Sequence, residues 1–175
     1  MCAVPNVAVI GYGFAGKSFH SYLVSLVPGL NLYGISSRNP ETRERIVQER
    51  GCQAFSSFED VLKDDQVDLV VLATPNQQHA PFAIAALEVG KHVVTDKPMC
   101  IGLAECKAVH DAAQKSGKAF SVFQNRRWDG DFLTLQKLLA DGALGELRWL
   151  EMAWLNAREP GGWRGENSPG GGRIY

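Results

Sequence analysis

The residues able to do chemistry fall in a few short segments that share a sequence context. Gly11-Tyr12-Gly13-Phe14-Ala15-Gly16 has the spacing G-x-G-x-x-G, set between an apolar run and a stretch of helical periodicity. In that setting the first glycine permits a tight turn, the second lets the backbone approach a pyrophosphate, and the third lets helix and strand pack closely. The free N–H groups at the helix start then face the phosphates. An acidic residue about 20 positions further on would hold the ribose 2′-hydroxyl of NAD. Ser36-Ser37-Arg38 stands there instead, and Glu41 lies beyond Pro40 in the next helical stretch. Two hydroxyls and a guanidinium suit a 2′-phosphate, which arginine grips bidentately, so the reading favours NADP over NAD. The alternative is a solvated loop arginine that ignores the 2′ position.

Polar residues also collect after three apolar runs, at Thr74-Pro75-Asn76-Gln77-Gln78-His79, Thr95-Asp96-Lys97-Pro98 and Gln124-Asn125-Arg126-Arg127. Open parallel sheets bind ligands outside the carboxyl ends of their strands. Dehydrogenation of an alcohol needs a group that takes or gives the hydroxyl proton, and a lysine among dipoles and cations suits that role. Lys97 is the candidate; on spacing alone, an Asp96–Lys97 surface pair at a turn is an equal alternative. His20 and His110 read as partly buried helix residues rather than catalysts. His92 opens a strand, and Trp128, Trp149 and Trp154 read as packing or interface residues. Cys2, Cys52, Cys100 and Cys106 form no C-x-x-C pair and have no histidine at ligand spacing, so no metal site is expected and the thiols read as reduced.

The elements that must position these segments alternate strictly. Strands are expected at Val7–Ile10, Leu30–Ser36, Val67–Ala73, His92–Thr95 and Ala119–Phe123, and helices at Phe14–Val27, Glu41–Arg50, Ser57–Lys63, Pro81–Val89 and Leu103–Ser116. In the first helix Phe19, Tyr22, Leu23 and Leu26 recur at helical spacing. Asn39-Pro40 supplies an N-cap and an N1 proline, and Ser57 to Asp60 resembles a capping box. The nearly unbroken Val and Leu of Val67–Ala73 suits a central parallel strand covered on both faces. The pattern predicts an α/β, doubly wound parallel Rossmann sheet over residues 1–123. Residues 124–175 read as the incomplete start of an α+β substrate domain, with a helix at Phe132–Ala140 and a strand at Glu146–Asn156.

At 175 residues, 45% hydrophobic and 21% charged, with a net charge of -1, the chain has the balance of a globular protein. No field of one sign invites nucleic acid. The N-terminus runs directly into an apolar strand without a leader-like or membrane-spanning pattern, so a cytoplasmic protein is expected.

Through these residues the sequence resembles the glucose-fructose oxidoreductase / inositol dehydrogenase / rhizopine catabolism family, Gfo/Idh/MocA. The resemblance covers the whole chain. It is carried by Gly11 to Gly16, by Thr74-Pro75-Asn76 to His79, by Asp96-Lys97-Pro98 where the family usually has Glu-Lys-Pro, and by Gly170-Gly171-Gly172. Ser18-Phe19-His20 and Asn125-Arg126-Arg127-Trp128-Asp129, followed by Asp131-Phe132-Leu133-Thr134, look most like the NADP-linked scyllo-inositol dehydrogenase type. The resemblance implies hydride transfer between NADP(H) and a hydroxyl or keto group of a sugar or cyclic polyol, by a protein that forms a homo-oligomer at full length. It makes Lys97 the catalytic or substrate-orienting lysine and sets Asp96-Lys97-Pro98, with a cis bond before Pro98, beside the nicotinamide. It places Thr74, Pro75, Asn76 and His79 around the cofactor, and it adds Asn125 and the pair Trp163-Arg164 to the cofactor contacts.

In the family an Asp-x-Gly-x-His segment follows the glycine run and completes the catalytic site. The chain ends before it, so it reads as a fragment that is inactive alone and open to self-association or proteolysis beyond about residue 145. The alternative function is a dinucleotide-binding regulatory module without turnover.

Overall fold

The structure is a computed structural model and describes residues 3–153 and the single positions 155, 161, 165 and 169. Six parallel strands, β1 (Asn6–Ile10), β2 (Asn31–Ser36), β3 (Gln53–Phe55), β4 (Leu69–Leu72), β5 (His92–Asp96) and β6 (Phe120–Phe123), form one sheet in the order β3-β2-β1-β4-β5-β6. Helices α1 (Ser21–Leu26), α2 (Pro40–Arg50), α3 (Phe58–Lys63), α4 (His79–Glu88) and α5 (Leu103–Ser116) connect them, and α6 (Gly130–Ala140) follows the sheet. This is the doubly wound Rossmann arrangement expected from the alternation of elements.

Period-2 alternation explains the two cores. On one face Ala8, Ile10, Val70, Leu72 and Val93 pack with Phe58 and Val61 of α3, Ala80, Ala83, Ala86 and Leu87 of α4 and Val109 of α5. On the other, Val7, Val9, Ile35 and Val71 meet Val24 of α1 and Ile46 of α2. Each such aliphatic side chain contributes about 1.5–3 kcal/mol when fully buried, so β1 and β4, apolar on both faces, anchor the sheet. Asn39 Oδ1 caps α2 through the Thr42 N–H at 3.1 Å, and Ser57 Oγ caps α3 through the Asp60 N–H at 3.0 Å. Helix α4 starts two residues before Pro81. A proline is tolerated there because the N–H groups of a first turn have no intrahelical acceptor.

Several expectations need correction. The stretch read as one regular helix from Phe14 opens with a π-helical turn over Gly16–His20. Its apolar stripe of Phe19, Tyr22, Leu23 and Leu26 is exposed, and Gly16, His20, Ser21 and Val24 face inward instead. The reason is steric: the turn lies so close to the end of β1 that a Cβ on Gly16 would drive into the Gly11 carbonyl, which leaves room only for small residues there. Strand β3, three residues long, was not foreseen. His110 is exposed on α5 rather than partly buried, because the buried position of that turn is taken by Val109. The strand expected from Glu146 does not form over residues 146–153; Trp149 and Met152 are exposed there, and among the described residues no neighbouring strand offers a hydrogen-bond ladder. Trp154 and Asn156 lie outside the described residues.

Candidate functional site

The carboxyl ends of β1, β2, β4 and β5 open into one cleft of about 1100 Å³. Ser36 at the end of β2 accepts the Gly11 N–H at 3.0 Å, and Ala73 after β4 donates to Ile10 O at 3.0 Å, so three strand ends fix the glycine loop. Gly11 has φ 99°, a conformation that side chains disfavour, and a Cβ there would lie 2.6 Å from the Ala73 carbonyl oxygen. Gly13 is different: a Cβ on it would meet nothing within 4 Å. Its backbone faces open space at the start of the following helix, so the cradle fits the pyrophosphate of a dinucleotide.

The other sequence-predicted residues arrive from separate elements. Gly11, Gly13, Phe14, Ala15, Ser36, Ser37, Arg38, Thr74, Pro75, Asn76, His79, Asp96, Lys97 and Pro98 all line the cleft. Gly16 lies behind the loop as a packing position. Tyr12 also turns away: its ring is buried in the β1–α2 core, and its hydroxyl donates to Glu49 Oε2 at 2.8 Å and accepts from Arg50 Nε at 3.1 Å. Burial pushes the Tyr12 phenol pKa up, the Arg50 hydrogen bond opposes that, and the Glu49 bond adds to it. Hydrogen bonds from Lys17 and then Tyr12 hold the Glu49 carboxyl below the usual carboxylate range. Asn125 begins a 3-10 turn and is not in the cleft lining, while Trp163 and Arg164 lie outside the described residues.

Arg38 stands exposed on the cleft rim. Its loop is held from below by Arg43, whose Nη1 donates to Ser37 O at 2.9 Å and Arg38 O at 3.0 Å. Arg43 carries no motif of its own, but an arginine in the first turn after an N-cap is placed to reach back to that loop. Gln78, of the polar segment after β4, lines the cleft too, and Ser57, Phe58, Glu59, Phe82, Cys100 and Ile101 join it without having been foreseen, since only the packing of α3, α4 and the turn after β5 brings them there.

His79 ties two strand-end turns together. It is 1% exposed, with Nδ1 2.7 Å from Pro98 O and Nε2 2.9 Å from Thr74 O. The Lys97–Pro98 bond is cis, as the resemblance implied. Asp96 Oδ1 accepts the Lys97 N–H at 2.8 Å. Burial alone would raise the Asp96 carboxyl pKa, but the His20 ring and the Lys97 N–H outweigh it and hold the group below the usual range. Burial pushes the Cys100 thiol up, and the neighbouring Cys106 adds to this. Among the described residues no cluster of His, Cys, Asp or Glu could hold a metal ion, and no helix is long and apolar enough to cross a membrane.

A parallel sheet whose glycine loop, Ser36-Ser37-Arg38 turn and lysine turn share one carboxyl-edge cleft defines a dinucleotide-binding Rossmann fold. The chain belongs to the Gfo/Idh/MocA oxidoreductase family, NAD-binding Rossmann fold, which it matches over residues 5–124. It is 42% identical to the uncharacterized oxidoreductase YdgJ of Escherichia coli (strain K12), over 97% of this chain and 49% of that protein. It is 30% identical to scyllo-inositol 2-dehydrogenase (NADP(+)) IolW of Bacillus subtilis (strain 168), over 97% of this chain and 48% of that protein. The crystal structure of an NAD-binding protein from Listeria innocua superposes with a TM-score of 0.76 at 40% identity, covering 82% of this chain and 42% of the other. The chain thus spans about half the length of the curated relatives it matches.

Proposed function

We propose that the chain is the cofactor-binding part, with residues 1–123 as its domain and 124–175 as the start of a substrate domain, of an oxidoreductase. The whole protein would transfer hydride between NADP(H) and a hydroxyl or keto group of a sugar or cyclic polyol. The observation that carries this reading is one cleft in which the Ser36-Ser37-Arg38 turn, a glycine cradle and Lys97 succeed one another along the sheet edge. Gly11, Gly13 and the following helix start receive the pyrophosphate, and Ser37 and Arg38 meet a 2′-phosphate. Thr74, Pro75 and Asn76 close the side toward the nicotinamide, which supplies the hydride chemistry when bound. Lys97 holds the substrate oxygen and passes its proton. The name of the Bacillus subtilis relative, an NADP(+) scyllo-inositol 2-dehydrogenase, supports both the cofactor and the polyol class.

Cofactor choice is testable on the chain itself. Arg38→Ala is expected to weaken NADPH binding by about 1.5–3 kcal/mol, the value of a charge-assisted hydrogen-bonding group, and to leave NADH nearly unchanged. Equal losses for both in a fluorescence titration would remove Arg38 from the 2′-phosphate site.

A further inference from the structure

His20 is a costly residue in a costly place. It ends the π-helical turn and is 5% exposed, with its ring packed edge-on against Phe123 of β6 at 4.8 Å between centroids. Its Nε2 is buried without a hydrogen-bond partner. An apolar side chain would fill the same space without leaving a nitrogen buried and unpaired. Rare π turns concentrate at functional sites. The nitrogen lies 3.7 Å from Asp96 Oδ2. The other oxygen of that carboxylate, Oδ1, already accepts the Lys97 N–H. Asp96 therefore spans the gap between a buried imidazole beneath the cleft and the backbone of the lysine on its floor.

We propose that His20 is a positioning residue for the Lys97 turn, acting through Asp96 from beneath the cleft. The inference rests on the reading of Lys97 as the residue that meets the substrate oxygen, and it adds the groups that hold the Lys97 turn. At 3.7 Å the pair is just beyond hydrogen-bond range, and a shift of under about 1 Å would close it. Catalytic hydrogen bonds that are long in a free protein tighten in the same way when ligand binds. One Asp96 oxygen thus serves the turn and the other lies toward the imidazole.

The test needs no turnover, so its failure is distinct from a failure of the proposed activity. Lys97 acylation by an amine-reactive reagent at fixed pH is followed by mass spectrometry in the 175-residue chain, with the exposed Lys63 and Lys107 as internal references. His20→Leu is expected to change the Lys97 rate about threefold or more, within the usual coupling of groups in contact, without changing the references. His20→Gln, which retains a donor, stays near the wild-type rate. In the Asp96→Asn background, His20→Leu has no further effect. A Lys97 rate unchanged by His20→Leu at matching thermal stability overturns the proposal, as does an equal change with and without Asp96. Should His20→Leu fail to fold, nitrogen NMR of the wild type and Asp96→Asn decides. The His20 Nε2 resonance is expected to shift between the two while that of His92 does not, and an unmoved Nε2 signal also overturns the proposal.

Discussion

Lys91 and Lys97 bracket β5 and meet opposite surroundings. At the amino end Lys91 is buried, and its ammonium donates to the carbonyls of Asp64 at 2.8 Å and Val67 at 2.9 Å. Burial pushes its pKa down, and the carboxylates of Asp64, Asp65 and Asp68 partly offset that. At the carboxyl end Lys97 is exposed, its backbone is pinned by Asp96, and its side chain lines the cleft. The same residue type is a closed staple at one edge of the sheet and an available cation at the other. What separates them is whether the strand-end loops seal over the lysine or diverge around it.

The contrast can be broken at either end. In the whole protein carrying its second half, Lys97→Ala is expected to lower kcat by about 10²-fold or more with little change in NADPH affinity. Near-normal turnover would make Lys97 as structural as Lys91. Lys91→Met is expected to lose about 1–3 kcal/mol of stability in urea unfolding, because carbonyls that lose a buried donor are left short of partners, and to leave cofactor affinity unchanged. Its pH signature follows from the depressed folded-state pKa. Between that value and the ordinary lysine value of about 10.4 the unfolded chain binds more protons, so the Lys91 contribution falls as pH falls, and that slope disappears in Lys91→Met. An unfolding free energy indifferent to the substitution would dissolve the staple.

The smallest effect belongs to Asp96. Its folded-state pKa is held low, so its stabilising contribution is present above the ordinary carboxylate value of about 3.9 and is lost as pH falls through the folded value. The stability gap between wild type and Asp96→Asn should therefore close in acid. A gap that shows no dependence on pH from neutral conditions down to acid unfolding would mean that the carboxylate charge contributes nothing there.

Much of this was readable beforehand because it rests on local rules. The glycine spacing, the Asn39-Pro40 and Ser57 caps and the unbroken apolar run of β4 each declare themselves within a few residues, and they place the cleft. The lysine contrast does not. Nothing in Gly90-Lys91-His92 distinguishes a buried ammonium from a solvated one, since its acceptors come from the α3–β4 loop more than twenty positions earlier. The His20–Asp96 pair is likewise a product of strand order. The π turn escaped because apolar periodicity reports a face, not an i→i+5 hydrogen bond, and here the apolar stripe points outward. The period-2 pattern at Glu146 was sound as a pattern, but a strand also needs a neighbour.

The strand order has a consequence for synthesis. β1 is flanked by β2 on one side and by β4 on the other, so a chain emerging from a ribosome can complete β1, β2 and β3 while one edge of β1 is still bare. The interval from Phe55 to Leu72 lasts roughly 1–3 s at ordinary rates of translation. During it Val7 to Ile10, destined to be the most enclosed strand of the sheet, presents open backbone and uncovered side chains to whatever else is nearby. The nascent protein is thus open to mispairing before Lys97 has been translated, and arrival of β4 ends that exposure.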